Sequence, residues 1–228
     1  MNNSDNLLNY LEWDVRNWSR ALDFWLAKSS QRLSDCKVLE IGSNRGGLSL
    51  WLASQGAQVV HSDYNGTKEE AIERHKGGGL SHMIEYQTID ARDIPYTDHF
   101  DIVVFKSVLG AVGDGDKDAQ AKAIGEMHKA LKKGGELFFA ENAVASPLHM
   151  YLRRKMIKWG NWWRYVTIDE MKEFLSRFSQ TELHTIGFAG TFGRTDKQRD
   201  WLALCDKALF EHIVPDSWKY IIAGVARK

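Results

Sequence analysis

Short apolar and β-branched runs alternate with helix-like segments along most of this chain. Such alternation is typical of an α/β fold whose central sheet is largely parallel. Each run is of strand length, and we predict strands at residues 36–42, 58–63, 84–89, 100–106, 136–141, 182–188 and 218–226.

Local signals also predict where three helices begin or end. Residues 67–70 and 167–170 each have a Thr followed three positions later by a Glu, which is the capping-box pattern of a helix start. Residues 132–135 are two lysines followed by two glycines, a pattern that predicts a helix end.

Two segments do not follow the alternation. Residues 5–32 predict an N-terminal helical cap that carries three tryptophans. Residues 146–166 follow the fifth predicted strand, so we expect them to form a lid at the carboxyl edge of the sheet, where α/β folds bind ligands. This lid mixes basic with aromatic side chains, namely Arg153, Arg154, Lys155, Lys158, Arg164, Tyr151, Trp159, Trp162, Trp163 and Tyr165.

Length and charge narrow the class of protein. The 228 residues suit one domain, residues 1–228, and the 30 basic and 30 acidic residues create no global field for nucleic acid. Two cysteines cannot make a disulfide framework, and no spacing indicates a metal site. There is no signal-peptide pattern and no run long enough to span a membrane, so we expect a cytoplasmic protein. The sequence does not indicate its oligomeric state.

Candidate chemistry is concentrated at residues 38–47, where an apolar run passes Glu40 and opens into a glycine-rich turn. A strand, a tight turn and a following helix are the ingredients of a nucleotide-type pocket. Asn44 stands where a dinucleotide fingerprint has the glycine that admits a pyrophosphate. Glu40 would also repel phosphates and suits a cationic ligand. These features favour S-adenosylmethionine, which has an ammonium, a sulfonium and no phosphate, over NAD.

Four motifs at suitable spacing, residues 40–46, 59–64, 88–95 and 100–107, make the chain from about residue 36 onward resemble a class I S-adenosylmethionine-dependent methyltransferase. The resemblance implies a Rossmann-like, doubly wound sheet of seven strands, mostly parallel with an antiparallel last strand. N-terminal helices and a helical lid after strand five would complete it. The cofactor implied is S-adenosyl-L-methionine.

The resemblance also implies which residues bind the cofactor. The first motif would wrap the methionine half, with its acid near the ammonium, through Glu40, Gly42, Ser43, Asn44 and Gly46. Asp63, followed by Tyr64, ends the second strand, and a carboxylate there can accept both ribose hydroxyls.

The remaining motifs would hold the adenine and form the pocket floor. Asp90 is placed within reach of the adenine amino group, with the backbone of Ala91 or Arg92 near the ring. The fourth motif delivers Lys106 and Ser107 to the pocket floor. Asp114 opens a segment that mimics a calcium loop, but the required glycine and bidentate glutamate are absent, so we interpret it as a solvated turn.

The acceptor and the catalytic residues stay open. A hydroxyl acceptor must lose a proton, and His149, Glu141 and Asn142 are comparable candidates, so no catalytic base is assigned. The lid favours a small-molecule acceptor, for example a carbohydrate or another anionic metabolite hydroxyl, although it could equally be a simple cover. An RNA-modifying enzyme and a non-catalytic S-adenosylmethionine-binding module are the alternatives.

Overall fold

The computed structural model describes the backbone of residues 3–156 and 163–228 and the side chains of residues 7–155 and 163–228. Its centre is a seven-stranded sheet in the order β3-β2-β1-β4-β5-β7-β6. The strands are β1 (Lys37–Ile41), β2 (Gln58–Asp63), β3 (Ile84–Thr88), β4 (Phe100–Lys106), β5 (Leu131–Asn142), β6 (Gln180–Ile186) and β7 (Ile221–Arg227). Only β7 runs against its neighbours, so the predicted fold class is confirmed.

Helices cover both faces of this sheet. They are α1 (Asn3–Leu11), α2 (Val15–Lys28), α3 (Gly47–Ser54), α4 (Glu69–Gly77), α5 (Lys117–Ala130), α6 (Pro147–Met156), α7 (Ile168–Phe174), α8 (Asp196–Cys205) and α9 (Glu211–Ile213). A π-helical turn, Asp206–Phe210, joins α8 to α9. Short 3₁₀ turns lie at Leu33–Asp35, Ser81–Met83, Leu109–Gly115, Gly190–Phe192 and Asp216–Trp218. No helix of the described chain is long and apolar enough to cross a membrane.

The strand order reverses between β1 and β4, and this reversal positions the candidate site. Ile41 of β1 pairs with Ser62 on one side and with Phe105 on the other, so the loops after β1 and β4 leave in opposite directions. Such a switch point leaves a crevice outside the carboxyl ends of the strands.

The N-terminal cap forms two helices, α1 and α2. The chain breaks between α1 and α2, where Glu12 and Asp14 have φ of 70° and 43°. Trp18 and Trp25 of α2 are buried in the layer that also contains Trp51 of α3. The Trp25 indole donates to the Phe139 carbonyl at 3.1 Å, which ties α2 to the centre of the sheet.

Of the two predicted helix starts and one predicted helix end, one start is confirmed, and the other start and the end are wrong. Thr167 and Glu170 form the expected capping box at α7. At α4, however, the cap is Lys68, which makes no side-chain cap hydrogen bond. Helix α5 ends at Ala130, because the next residue, Leu131, is fully buried and pairs with Phe100 as the start of β5. The pairing register then shifts, and residues 132–135 lie in that irregularity.

Candidate active site

A cavity of about 500 Å³ lies at the carboxyl edge of the sheet, between the loops that follow β1, β2, β3 and β4. Predicted residues that line it are Gly42, Asn44, Asp63, Tyr64, Asp90, Ala91 and Arg92. The other predicted residues, Glu40, Ser43, Gly46 and Lys106, are not among its lining residues.

The turn after β1 approaches its neighbours so closely that glycine is required. Gly42 has φ of 67°, and a Cβ there would lie 2.6 Å from Cγ2 of Val108. Asn44 has φ of 46°, a left-handed conformation that asparagine tolerates better than most residues. The Ser43 hydroxyl donates to the Ser62 carbonyl at 2.8 Å and fixes this turn to β2.

Asp63 joins two loops at the cavity wall. Its Oδ2 accepts from the Asn44 amide at 3.1 Å, and its Oδ1 accepts from the Asn65 amide at 3.0 Å. A carboxylate offers about four lone-pair positions. Each oxygen of Asp63 can therefore accept a further hydrogen bond from a ligand.

Asp90 has a partner that sequence reasoning missed. The Arg92 guanidinium donates to both of its oxygens, with Nη2 at 2.7 Å from Oδ2 and Nε at 3.0 Å from Oδ1. These hydrogen bonds lower the pKa of Asp90. The arginine two positions after the acid was the signal that could have suggested the pair.

Glu40 lies behind the turn, not in the cavity. It is 3% exposed and accepts a hydrogen bond from the Ser49 hydroxyl of α3, and burial raises its pKa to about 7. The half-buried Lys106 directs its Nζ over the Trp18 ring, 4.9 Å from the centroid. Desolvation lowers the pKa of Lys106, opposed by the charges of Glu12, Glu40 and Glu141.

The two candidate bases at the end of β5 bind the loop after β4 instead of facing the cavity. Glu141 is fully buried and accepts from the amides of Val108 at 2.8 Å and Leu109 at 2.7 Å. Burial raises its pKa to about 7. The Asn142 amide group donates to the Ser107 hydroxyl at 2.5 Å, and Ser107 and Val108 line the cavity.

His149 is also occupied elsewhere. Its Nδ1 lies 2.6 Å from the Ser146 hydroxyl and its Nε2 lies 2.8 Å from the Phe188 carbonyl, to which it must donate. Burial lowers its pKa to about 4, so the ring is neutral at physiological pH. In the part of the chain that the structure describes, no histidine lines the cavity and no cluster of ligands could hold a metal ion.

The predicted lid divides into supporting and exposed residues. Arg153 donates to the Ala143 carbonyl at 2.7 Å, and its guanidinium lies 4.2 Å from the centre of the Tyr165 ring. Arg164 binds Gln120 at 2.7 Å and also pairs with Glu170. Exposed cations of α6 are Arg154 and Lys155. Lys158, Trp159 and Trp162 of the predicted lid lie outside the described residues.

Trp163 and Asp114 close the cavity on the β4 side. The Trp163 indole packs so tightly on Gly110 that a Cβ there would lie 1.8 Å from Nε1. Asp114, which we interpreted as a solvated turn residue, is exposed and lines the cavity in the loop after β4, where its φ is 53°. Its position in the loop that follows a strand of the switch point was the available signal.

Known proteins resemble this chain in sequence over part of its length. A family model described as a methyltransferase domain matches residues 39–139. A ubiquinone biosynthesis O-methyltransferase of Rhodopseudomonas palustris is 30% identical over 156 residues, 65% of this chain and 60% of the relative. A demethylmenaquinone methyltransferase of Thermus thermophilus is 30% identical over 130 residues, 56% of this chain and 54% of the relative. The chain thus spans little more than half the length of these relatives.

The fold agrees with these matches. Phosphoethanolamine N-methyltransferase 2 of Haemonchus contortus, solved with S-adenosyl-L-methionine, superposes with a TM-score of 0.65 at 18% identity, covering 97% of this chain and 56% of that one. At that identity the likeness shows the fold alone. Residues 39–139 thus match the methyltransferase domain family, and the chain has the fold of the class I S-adenosylmethionine-dependent methyltransferases, as its sequence predicted.

Proposed function

We propose that this protein transfers a methyl group from S-adenosylmethionine to a hydroxyl of a small molecule. The observation that carries the proposal is one cavity that Asp63, Asp90 and Gly42 of the turn after β1 all line. Asp114 adds a third carboxylate, and the positive charge of Arg92 is already paired with Asp90. The cavity therefore favours a ligand with positive charge and hydrogen-bond donors. S-adenosylmethionine has a sulfonium, an ammonium, two ribose hydroxyls and an adenine amino group.

The residues present fit this cofactor. In our proposal Asp63 accepts the ribose hydroxyls, Asp90 accepts the adenine amino group, and the backbone of Ala91 and Arg92 lies beside the ring. Tyr64 borders the same region of the cavity. The methionine half faces the turn after β1, through Gly42 and Asn44. Residues proposed to support this turn from behind the cavity wall are Glu40, Ser43, Gly46 and Lys106.

When bound, S-adenosylmethionine supplies an electrophilic methyl group on a sulfonium. The task of the chain is then to hold the acceptor in line and to exclude water, which is worth about 7–11 kcal/mol when two reactants are well oriented. Trp163, Val108 and Val112 give the cavity an apolar wall suited to that exclusion. We assign no catalytic base, because His149 and Glu141 are buried and bound elsewhere.

For the acceptor, we propose a carbohydrate or another anionic metabolite with a free hydroxyl. The Trp163 ring at the cavity supports a ring-bearing acceptor, since aromatic faces stack on rings and sugars. The names of the two curated relatives, an O-methyltransferase and a demethylmenaquinone methyltransferase, support a small molecule. The proposal that the acceptor is anionic rests on the exposed Arg154 and Lys155, because Arg153 and Arg164 already have partners inside the protein.

The test is calorimetry with S-adenosylhomocysteine, followed by transfer of a labelled methyl group to a panel of sugars, sugar phosphates and ring hydroxyls. We expect saturable binding and label in at least one hydroxyl acceptor. No binding would overturn the proposal, and binding with no transfer to any compound would favour a non-catalytic module. Label in RNA, with steeply salt-dependent binding, would replace the small-molecule acceptor by a nucleic acid.

A further inference from the structure

The glycine turn after β1 is held from behind by a histidine that does not line the cavity. His75 of α4 is fully buried, and its Nε2 lies 2.8 Å from the Gly46 carbonyl oxygen. A carbonyl oxygen only accepts, so Nε2 must carry the proton. Nδ1 then accepts from the Tyr86 hydroxyl at 3.0 Å. Both ring nitrogens of a neutral His75 are therefore satisfied.

The approach of His75 to Gly46 leaves no space for a side chain. Gly46 has φ of 77°, and a Cβ there would lie 2.4 Å from the His75 Nε2. The same carbonyl oxygen accepts from the Leu50 amide at 3.0 Å, the first backbone hydrogen bond of α3. His75 thus fixes the peptide group at which the turn becomes a helix.

The other end of the turn is held by β2. The Ser43 amide donates to the Ser62 carbonyl at 3.0 Å, and the Asn44 amide donates to Asp63. Gly42 and Asn44, which line the cavity, lie on the β2 side of the turn, and Gly46 at its helix end is bound by His75. Loss of that bond would release the helix end while the β2 end stayed in place.

We propose that His75 is a positioning residue for S-adenosylmethionine binding, which holds the turn in its receptive conformation through Gly46 without touching the ligand. This inference rests on the proposed function. The rings of His61, edge-on at 5.4 Å, and Tyr86, stacked at 5.7 Å, keep the imidazole in this orientation. Burial lowers the pKa of His75, which favours the neutral ring that the two hydrogen bonds require.

The experiment compares His75→Gln with His75→Asn by calorimetry using S-adenosylhomocysteine. The glutamine amide extends about as far as Nε2 and keeps a donor for the Gly46 carbonyl, whereas the shorter asparagine amide falls short of it. We expect binding to weaken about tenfold in His75→Asn and less than about threefold in His75→Gln. Tyr86→Phe, which removes the donor to Nδ1, should weaken binding by about threefold. Thermal unfolding of each variant confirms that it is folded.

Each outcome decides a different question. If the wild-type protein does not bind S-adenosylhomocysteine, the proposed function fails. If the wild type binds and folded His75→Asn binds equally well, or folded His75→Gln is as weak as His75→Asn, the histidine only fills space and the inference is overturned. If His75→Asn does not fold, long-range ¹H–¹⁵N spectra of the wild-type histidines decide. The Nε2–H tautomer of His75 supports the inference, and the Nδ1–H tautomer overturns it.

Discussion

Two pairs of carboxylates occupy the same edge of the sheet, and burial gives them opposite roles. Glu40 and Glu141 are the penultimate residues of β1 and β5, and they are 3% and 0% exposed. Asp63 ends β2, Asp90 follows β3, and both line the cavity. Because helices cover both faces of the sheet, an acid one residue inside the strand end points into the layers, whereas an acid at or after the strand end remains at the rim.

The hydrogen bonds of the two pairs follow the same division. Glu141 accepts three backbone amides and Glu40 accepts the Ser49 hydroxyl, so both act on other parts of the protein. Asp63 and Asp90 are also hydrogen-bonded, but each remains open to the cavity. The buried pair therefore shapes the site, and the accessible pair is free to bind a ligand.

The largest expected effect is on stability, from Glu141→Ala. The substitution leaves the amides of Val108, Leu109 and Asn142 without their acceptor, and each unsatisfied buried group costs about 1–3 kcal/mol. We expect the free energy of unfolding to fall by about 3–5 kcal/mol in urea denaturation. The exposed Glu69, replaced in the same way, serves as control and should change stability by less than about 1 kcal/mol. Equal losses in the two variants would refute the assigned role of Glu141.

The second prediction concerns pH and Glu40. Its pKa is raised from 4.5 to about 7 by burial, so between these values the folded protein binds more protons than the unfolded chain. The contribution of Glu40 to stability is therefore full below about pH 4.5 and is lost as the pH rises through 7. The shift corresponds to at most about 3 kcal/mol.

Glu40→Gln isolates that contribution, because glutamine cannot titrate. From pH 5 to pH 8, we expect the unfolding free energy of the wild type to fall by up to about 3 kcal/mol relative to that of the variant in urea denaturation. His61, whose pKa burial lowers to about 4, contributes the opposite slope in both proteins. A difference that is the same at both pH values would mean that Glu40 titrates as it does in the unfolded chain.

Sequence patterns predicted the sheet and much of the cavity, since these depend on local features. Apolar runs mark the strands, and acids at strand ends reach the carboxyl edge in any parallel sheet. Side-chain direction was harder to predict, because Glu40 is turned away by its position one residue before the end of β1. The predicted end of α5 was also wrong, because the pairing of Leu131 with Phe100, which ends the helix, is a long-range contact.

The lid shows a second limit of sequence patterns. Its cations suggested an anionic ligand, yet Arg153 binds the Ala143 carbonyl and Arg164 binds Gln120 and Glu170. Those partners come from the residue that follows β5, from α5 and from α7, which only the folded chain brings together. Composition could therefore not distinguish the supporting cations from the exposed Arg154 and Lys155.

The third prediction moves from stability to binding, with Asp63→Ala. If Asp63 accepts the ribose hydroxyls, its removal should weaken S-adenosylhomocysteine binding by about 2–3 kcal/mol, the scale of one or two charge-assisted hydrogen bonds. Asp63→Asn keeps one acceptor oxygen and should lose about half of that. Calorimetry measures both, and unchanged affinity in folded Asp63→Ala would contradict the ribose assignment.

The smallest expected effect is at Asp90, where the acid is already shared with Arg92. Asp90→Asn keeps one acceptor oxygen and should weaken S-adenosylhomocysteine binding by only about 1 kcal/mol, roughly fivefold. A sharper comparison uses S-inosylhomocysteine, which lacks the adenine amino group. Wild type should prefer the adenine compound, and the preference should shrink in Asp90→Asn if that amino group is the partner of the carboxylate. A preference that is unchanged by the substitution would place the adenine elsewhere in the cavity, and Asp90 would then belong with the buried acids as a support for the backbone.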